Sequence, residues 1–229
     1  MSVPDALADR VSEALGALYR HPNQTLLAWY RYAIYAALAE DHCQSGNAAR
    51  AWVDVLSAQH VLFCWQPYAR RGWPATWVQP AELLGLAERS LQGLVDPAVV
   101  ERQLTRAAAL ADLVGERVTS AQYPAWCVFE AALRALQSAW SAQAHHATLA
   151  APNSGAAGAS GLDDASWYAA IAMAGSRAPA YGDPRTASPN RAVAAADAAA
   201  QLRWTFFWEW WLREAIPRAS LIARSSAVL

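Results

Sequence analysis

The chain has 229 residues, a length that suits one sizeable domain or two small ones. Hydrophobic residues make up 55% and charged residues only 16%, which argues against a disordered chain and predicts a large apolar core. The net charge is −1 and all 18 basic residues are arginine. Because neither half of the chain is strongly charged, we expect no nucleic acid and no anionic membrane as a partner.

The lack of a recognisable targeting signal and the pattern of cysteines both favour a soluble cytoplasmic protein. Cys43, Cys64 and Cys127 are odd in number and have no metal-ligand spacing, which is typical of reduced cysteines in a cytosolic protein. The N-terminal stretch carries acidic residues and lacks the apolar segment of a signal peptide. No apolar run reaches the 18 residues that a membrane-spanning helix needs.

The first third of the chain is rich in the helix formers Ala, Leu, Arg and Glu, and start and stop residues punctuate it. We predict a first helix over 4–19. Asn23 should cap a second helix that ends at Gly46, and Asn47 a third that ends before Pro67. Residues 67–80 hold three prolines and a glycine, a composition that indicates a loop.

The remaining segments are also predicted to be helical. Further helices are expected over 80–95, 96–118, 124–150 and 163–173. The last helix should begin after its cap Asn190 and end at Pro217. Residues 151–161 are of low complexity and indicate a flexible internal loop, and 174–190 form a connector rich in Pro, Gly and Ser. Because no period-two alternation appears, we predict a single all-α domain over 1–229 with seven or eight helices in a bundle-like array.

The segment 203–217, RWTFFWEWWLREAIP, carries four tryptophans and two phenylalanines within eight positions. At 100° per residue, one face of such a helix holds a set of large rings that we expect to lie in the core, namely Trp204, Phe207, Trp208 and Trp211.

The opposite side of the same helix holds Phe206 and Trp210, beside Glu209 and Arg213. Three interpretations remain open for this side. The two rings pack under a neighbouring segment, or they form an exposed pair that binds a protein, since aromatic residues and arginine anchor interfaces. The third, a helix that lies in a membrane surface, is disfavoured because this side lacks the basic residues that such helices use.

A second aromatic group lies in the loop before Pro80 and also allows two interpretations. Its tryptophans pack as a lid over a helix end, or the loop contacts a partner while its arginines meet an anion or carboxylate. The candidate contact residues of the loop are Arg70, Arg71, Trp73 and Trp77.

No catalytic or metal-binding signature is present. The sequence has no H-E-x-x-H, C-x-x-C, G-x-S-x-G or phosphate-loop pattern. A catalytic group would have to be assembled from separated residues such as His60, Cys127 and Glu130. We therefore expect no metal, no cofactor and no enzyme activity.

The end of the chain resembles a known family, the Ala- and Trp-rich all-α predicted immunity proteins of bacterial polymorphic toxin systems. Members often finish with the phrase F-W-x-W-[WY]-L-x-E-A-[IV]-P. The matching residues here are Phe207, Trp208, Trp210, Trp211, Leu212, Glu214, Ala215, Ile216 and Pro217. The resemblance implies a cytoplasmic, non-catalytic protein that binds and neutralises a cognate protein toxin encoded by an adjacent gene.

The residues also leave alternatives from other functional classes. The tryptophans could line a pocket for a small apolar or cationic ligand, because indole faces attract cations. The chain could also be an uncharacterised enzyme. A protein toxin is the partner that the resemblance implies.

Overall fold

The computed structural model describes residues 5–21, 25–41, 46–66, 77–115, 118–119, 121–148, 164–175 and 191–226, without the side chains of 41, 144–148, 191–197 and 226. These ranges contain helices and no strand, which confirms the predicted all-α class. The elements are α1 Asp5–Arg20, α2 Ala28–Asp41, α3 Gly46–His60, a short 3-10 helix Leu62–Cys64, α4 Pro80–Leu91, α5 Pro97–Gly115, α6 Tyr123–Thr148, α7 Ala165–Ala174, α8 Arg191–Trp210, a π turn Trp211–Ala215 and α9 Ile216–Ser226. Since α8, the π turn and α9 are continuous, the described ranges hold eight separate long helices besides the 3-10 helix.

Helices α3 and α6 lie at the centre of the array. They pack against each other and share α4 and α7 as neighbours, while α3 also contacts α2 and α9 and α6 also contacts α5. Their buried faces are rich in alanine, which has no bulk to hold the helices apart. Buried side chains from α1 through α9 join in one hydrophobic cluster.

Gly46 was predicted to stop the second helix, and this prediction was wrong. The residue is the first of α3, with Asn47 in the same first turn, whereas Asn23 lies outside the described residues. A Cβ atom on Gly46 would lie 2.5 Å from the Ala39 Cα, so glycine here permits a close approach of α2 and α3. The signal that favours a helix end in the sequence thus marks a packing contact.

Pro217 was predicted to end the last helix, and this was also wrong, because the chain stays helical to Ser226. The Ile216 amide donates to the Trp211 carbonyl, five residues back, in the wider π turn. In a regular α-helix the ring of Pro217 would clash with the carbonyl four residues earlier. The wider turn relieves this conflict, and a proline therefore follows it without a break.

The helix starts at Pro80 and at Asp164 follow local signals. Pro80 is the first residue of α4, and Gln79 and Glu82 form a capping box around it. The Asp164 carboxylate accepts the Trp167 amide at 2.7 Å and caps α7. Residues 151–161 and all but the first two residues of the connector 174–190 lie outside the described residues.

Candidate protein-binding face

The aromatic segment of α8 and the π turn has one fully buried side. Its four large rings, Trp204, Phe207, Trp208 and Trp211, have no exposed surface. Neighbouring rings meet edge to face. Trp204 and Trp208 lie 5.9 Å apart at 80°, and Trp208 and Trp211 lie 5.7 Å apart at 83°. Such edge-to-face pairs are favourable beyond the area that they bury, so this side fixes the helix rigidly on the fold.

A buried arginine joins this aromatic side to α2 and α7. The Arg31 side chain is only 2% exposed, and its Nε donates to Asp164 Oδ2 at 2.9 Å. Its guanidinium carbon also lies 5.2 Å from the Trp167 ring and 5.3 Å from the Trp208 ring. A carboxylate and two indole faces together compensate the charge that Arg31 brings into the interior.

A second polar group lies beside Trp211 in the interior. The Trp211 Nε1 donates to Ser166 Oγ at 2.9 Å, and Tyr35 Oη lies 3.2 Å from the same oxygen. Tyr35 also donates to Asp54 Oδ1 at 3.1 Å. Burial is the main cause that raises the pKa of Asp54 to about 7, while nearby Arg50 acts to lower it. These bonds tie α2, α3, α7 and the π turn together.

The outward side of α8 and of the π turn is different in character. We call it the outer face of α8, and it consists of Leu202, Phe206, Glu209 and Trp210 of α8 and Arg213 of the π turn. Leu202 is 69% exposed and Phe206 is 60% exposed, one helical turn apart. Trp210 follows one turn later and is partly buried. The three apolar side chains therefore form a continuous row along the helix.

Charged groups border this row. Arg213 Nε lies 3.2 Å from Glu209 Oε1 in an exposed ion pair one turn apart. Tyr19, near the end of α1, hydrogen-bonds to the same pair, and its bond to Glu209 is the main cause that raises the pKa of the Tyr19 hydroxyl. Tyr19 is itself exposed, so two helices contribute to this surface.

Trp210 is held from the inner side by α3. The His60 ring lies parallel to the Trp210 ring, with centroids 3.6 Å apart and an interplanar angle of 8°. Burial lowers the pKa of His60, whereas the Glu214 carboxylate acts to raise it. Of the two rings that the sequence places on this side, the Phe206 ring is largely exposed, whereas the Trp210 ring exposes only part of its surface.

The candidate residues of the loop are only partly described. Arg70, Arg71 and Trp73 lie outside the described residues, and their role stays a prediction. Trp77 is partly buried, and its carbonyl accepts the Gln79 side-chain amide at 2.9 Å. Trp65, at the other end of the loop, is buried and donates from Nε1 to Gln79 Oε1 at 3.3 Å.

The structure brings to this face two residues that the sequence analysis did not place there. Tyr19 and His60 are far from α8 along the chain, and their proximity to it follows only from the packing of α1 and α3. Leu202 could have been found from its position four residues before Phe206. A separate exposed pair, Trp29 and Tyr32, lies on α2 and was also missed.

The structure does not bring the two residues His60 and Cys127, which were considered for catalysis, into a catalytic arrangement. Cys127 is fully buried in α6, and burial raises the pKa of its thiol, so it stays protonated and is a poor nucleophile. His60 faces the rings of α8. Within the ranges that the structure covers, no three His, Cys, Asp or Glu side chains are arranged to hold a metal ion.

Comparison with known proteins identifies the family of the chain. The family model described as immunity protein Imm5 matches residues 11–218, which run from α1 to the first turn of α9. The chain belongs to this family. None of the curated proteins with which it was compared matches it.

Membership in the Imm5 immunity proteins confirms the predicted resemblance to an immunity protein family. Most of the phrase that carries the resemblance serves the interior of this Imm5 protein, since six of its nine residues are buried. Glu214 is exposed, and Trp210 and Pro217 are partly buried. Among the described helices, none is both long and apolar enough to cross a membrane.

Proposed function

We propose that this Imm5 protein binds a cognate protein toxin in the cytoplasm and neutralises it by surface complementarity, without catalysis. The family match supports the proposal, because it covers nearly the whole chain and names an immunity function. The toxin is proposed to be the product of an adjacent gene. A polymorphic toxin system would supply such a gene pair.

We propose further that the outer face of α8 is the toxin contact. The observation that carries this proposal is the exposure of Leu202 and Phe206 on a helix whose opposite side is completely buried. Such a helix presents apolar side chains from a backbone that is already ordered, so binding loses little conformational entropy. The ring of Phe206 and the guanidinium of Arg213 are the types of group that anchor interfaces.

The exposed pair on α2 is the main competitor for this role. Trp29 is 50% exposed but stacks on the neighbouring Tyr30 ring at a centroid distance of 3.4 Å. The outer face of α8 combines apolar side chains with both signs of charge and includes Tyr19 from a second helix. This mixture of an apolar centre and a polar border is typical of a protein interface.

A co-expression experiment tests the proposed function. The product of the adjacent gene is expressed in a bacterial host with and without this protein, and growth and complex formation are measured. We expect the neighbouring product to arrest growth, this protein to restore it, and a 1:1 complex with a Kd of about 1 nM or below to be isolated. If the neighbouring product binds nothing or growth stays arrested, the proposal is wrong.

A further inference from the structure

The contact between His60 and Trp210 joins the outer face of α8 to the central helix α3. The two rings are nearly parallel, and their centroids are separated by an ordinary stacking distance. Phe207 lies behind them, with its ring centroid 6.1 Å from that of His60 and 5.7 Å from that of Trp210. One side of the Trp210 ring is therefore covered by an imidazole that belongs to a rigid, buried helix.

One ring nitrogen of His60 has no evident structural use. Its Nε2 atom is buried and has no hydrogen-bond partner among the described residues. A buried nitrogen without a partner is costly, and a leucine or phenylalanine would fill the same space without that cost. Within the part of the chain that the structure describes, the indole nitrogens of Trp204 and Trp208 are unpartnered in the same way. The His60 nitrogen therefore supports a role beyond packing only together with the stacking of His60 on Trp210.

Two electrostatic effects act on His60 besides burial. Glu214 of the π turn is the charged group that acts on it, and His60 is itself the last residue of α3, where the partial negative charge of the helix end favours a cation. Burial has the larger effect and lowers the pKa of His60, so the imidazole is neutral at neutral pH. Acid converts the ring into a cation that lies flat on the Trp210 indole.

We propose that His60 is a positioning residue that holds the Trp210 ring in its presented orientation and transmits its own protonation state to the outer face of α8. This inference rests on the proposed function. A tryptophan that is already fixed loses less freedom when a toxin binds, which corresponds to about threefold to tenfold in affinity. His60 acts through Trp210 and does not touch the toxin.

The first test needs no toxin. The ¹⁵N-labelled protein is titrated from pH 7.5 to pH 5, and the indole signal of Trp210 is identified by its loss in Trp210→Phe. We expect this signal to shift with a midpoint below 6.5, the ordinary pKa of histidine, and to be insensitive to pH in His60→Phe. A Trp210 signal that does not respond to pH in the unaltered protein would overturn the proposal.

The second test measures affinity for the inactivated product of the adjacent toxin gene. We expect His60→Ala to weaken binding about threefold to tenfold and His60→Phe, which keeps a flat ring, to restore it. In a Trp210→Ala background, His60→Ala should have no additional effect. An equal loss in both backgrounds would mean that His60 acts only on overall stability, and the proposal would fail.

The two proposals fail in distinguishable ways. Unchanged affinity of Trp210→Ala would contradict the contribution of Trp210 to the toxin contact and, with it, the role of His60 in binding. A normal loss for Trp210→Ala together with a pH-insensitive indole signal would overturn the His60 proposal alone. Thermal unfolding of each variant shows whether the fold is intact.

Discussion

Neighbouring residues of the aromatic segment have opposite surroundings. Trp208 has no exposed surface and contacts three other rings and Arg31, whereas Phe206, two positions earlier, is largely exposed. The sequence predicts this division because the angle between positions on a helix is fixed. It did not predict how far Trp210 is covered, because that depends on a histidine 150 positions earlier in the chain.

Substitution at these two residues should therefore affect stability very differently. Trp208→Ala leaves a large cavity in the core, and we expect it to lower the free energy of unfolding by about 3–5 kcal/mol. Phe206→Ala removes a mostly solvated ring and should change it by less than about 0.5 kcal/mol. Urea denaturation measures both values, and equal losses would mean that Phe206 also belongs to the core.

The buried carboxyl of Asp54 should make stability depend on pH. Its pKa is raised from 3.8 to about 7, so between these values the folded protein holds a proton that the unfolded chain releases. The contribution of Asp54 to the free energy of unfolding therefore decreases as pH rises from about 4 to about 7 and is constant above that range.

The variant Asp54→Asn tests the direction of this pH dependence. An amide cannot ionise, so the variant should gain stability relative to the unaltered protein as pH rises, by as much as about 1.4 kcal/mol for each unit of pKa difference. Denaturation in urea at pH 4.5 and pH 7.5 gives the comparison. If the difference between the two proteins is the same at both values, burial does not control this carboxyl.

At the scale of elements, helix class and most helix positions follow from local signals, and the exceptions have tertiary causes. Gly46 favours a helix end by its intrinsic propensity, but contact with Ala39 determines its place in α3. Pro217 stops an α-helix, but not the π turn that precedes it. Single-residue signals describe what a residue prefers alone, and neither exception could be predicted without the packing partner or the changed hydrogen-bond pattern.

Two glycines on different helices separate intrinsic propensity from close packing. Gly46→Ala should destabilise the protein, because the added Cβ would lie 2.5 Å from backbone atoms of Ala39. Gly85→Ala in α4 is the matched control, since its Cβ would only meet the end of the Arg89 side chain at 3.6 Å. We expect the control to gain about 0.5–1 kcal/mol from helix propensity. If Gly46→Ala lowers Tm in thermal unfolding and Gly85→Ala raises it, the close contact is confirmed. A higher Tm for both variants would contradict it.

At the scale of the whole molecule, the charge of this protein provides little long-range attraction for a partner. The net charge is −1, and the outer face of α8 carries both Glu209 and Arg213 around an apolar row. Such a surface does not imitate a nucleic acid, and under the proposed function we expect the toxin surface that it meets to be largely apolar. The sequence predicted this balance of charge, but the contribution of Tyr19 to this surface follows only from the packing of α1 against α8 and the π turn.

The toxin complex should consequently depend only weakly on salt. Between about 0.05 M and about 0.5 M salt we expect Kd to change by less than about threefold, because screening weakens exposed charge pairs but not apolar contacts. Calorimetry across this range measures how Kd depends on the salt concentration. A loss of several orders of magnitude would instead indicate that charge attraction holds the complex together.

The most direct measurement is the affinity for the inactivated toxin of two variants that each remove one exposed ring, Phe206→Ala on α8 and Trp29→Ala on α2. The rings are similarly exposed, at 60% and 50%, but lie on different helices, so each controls for general effects of the other. If the outer face of α8 is the contact, Phe206→Ala weakens binding at least about tenfold without lowering Tm, and Trp29→Ala leaves the affinity unchanged. Unchanged binding by Phe206→Ala, or a loss confined to Trp29→Ala, would contradict it.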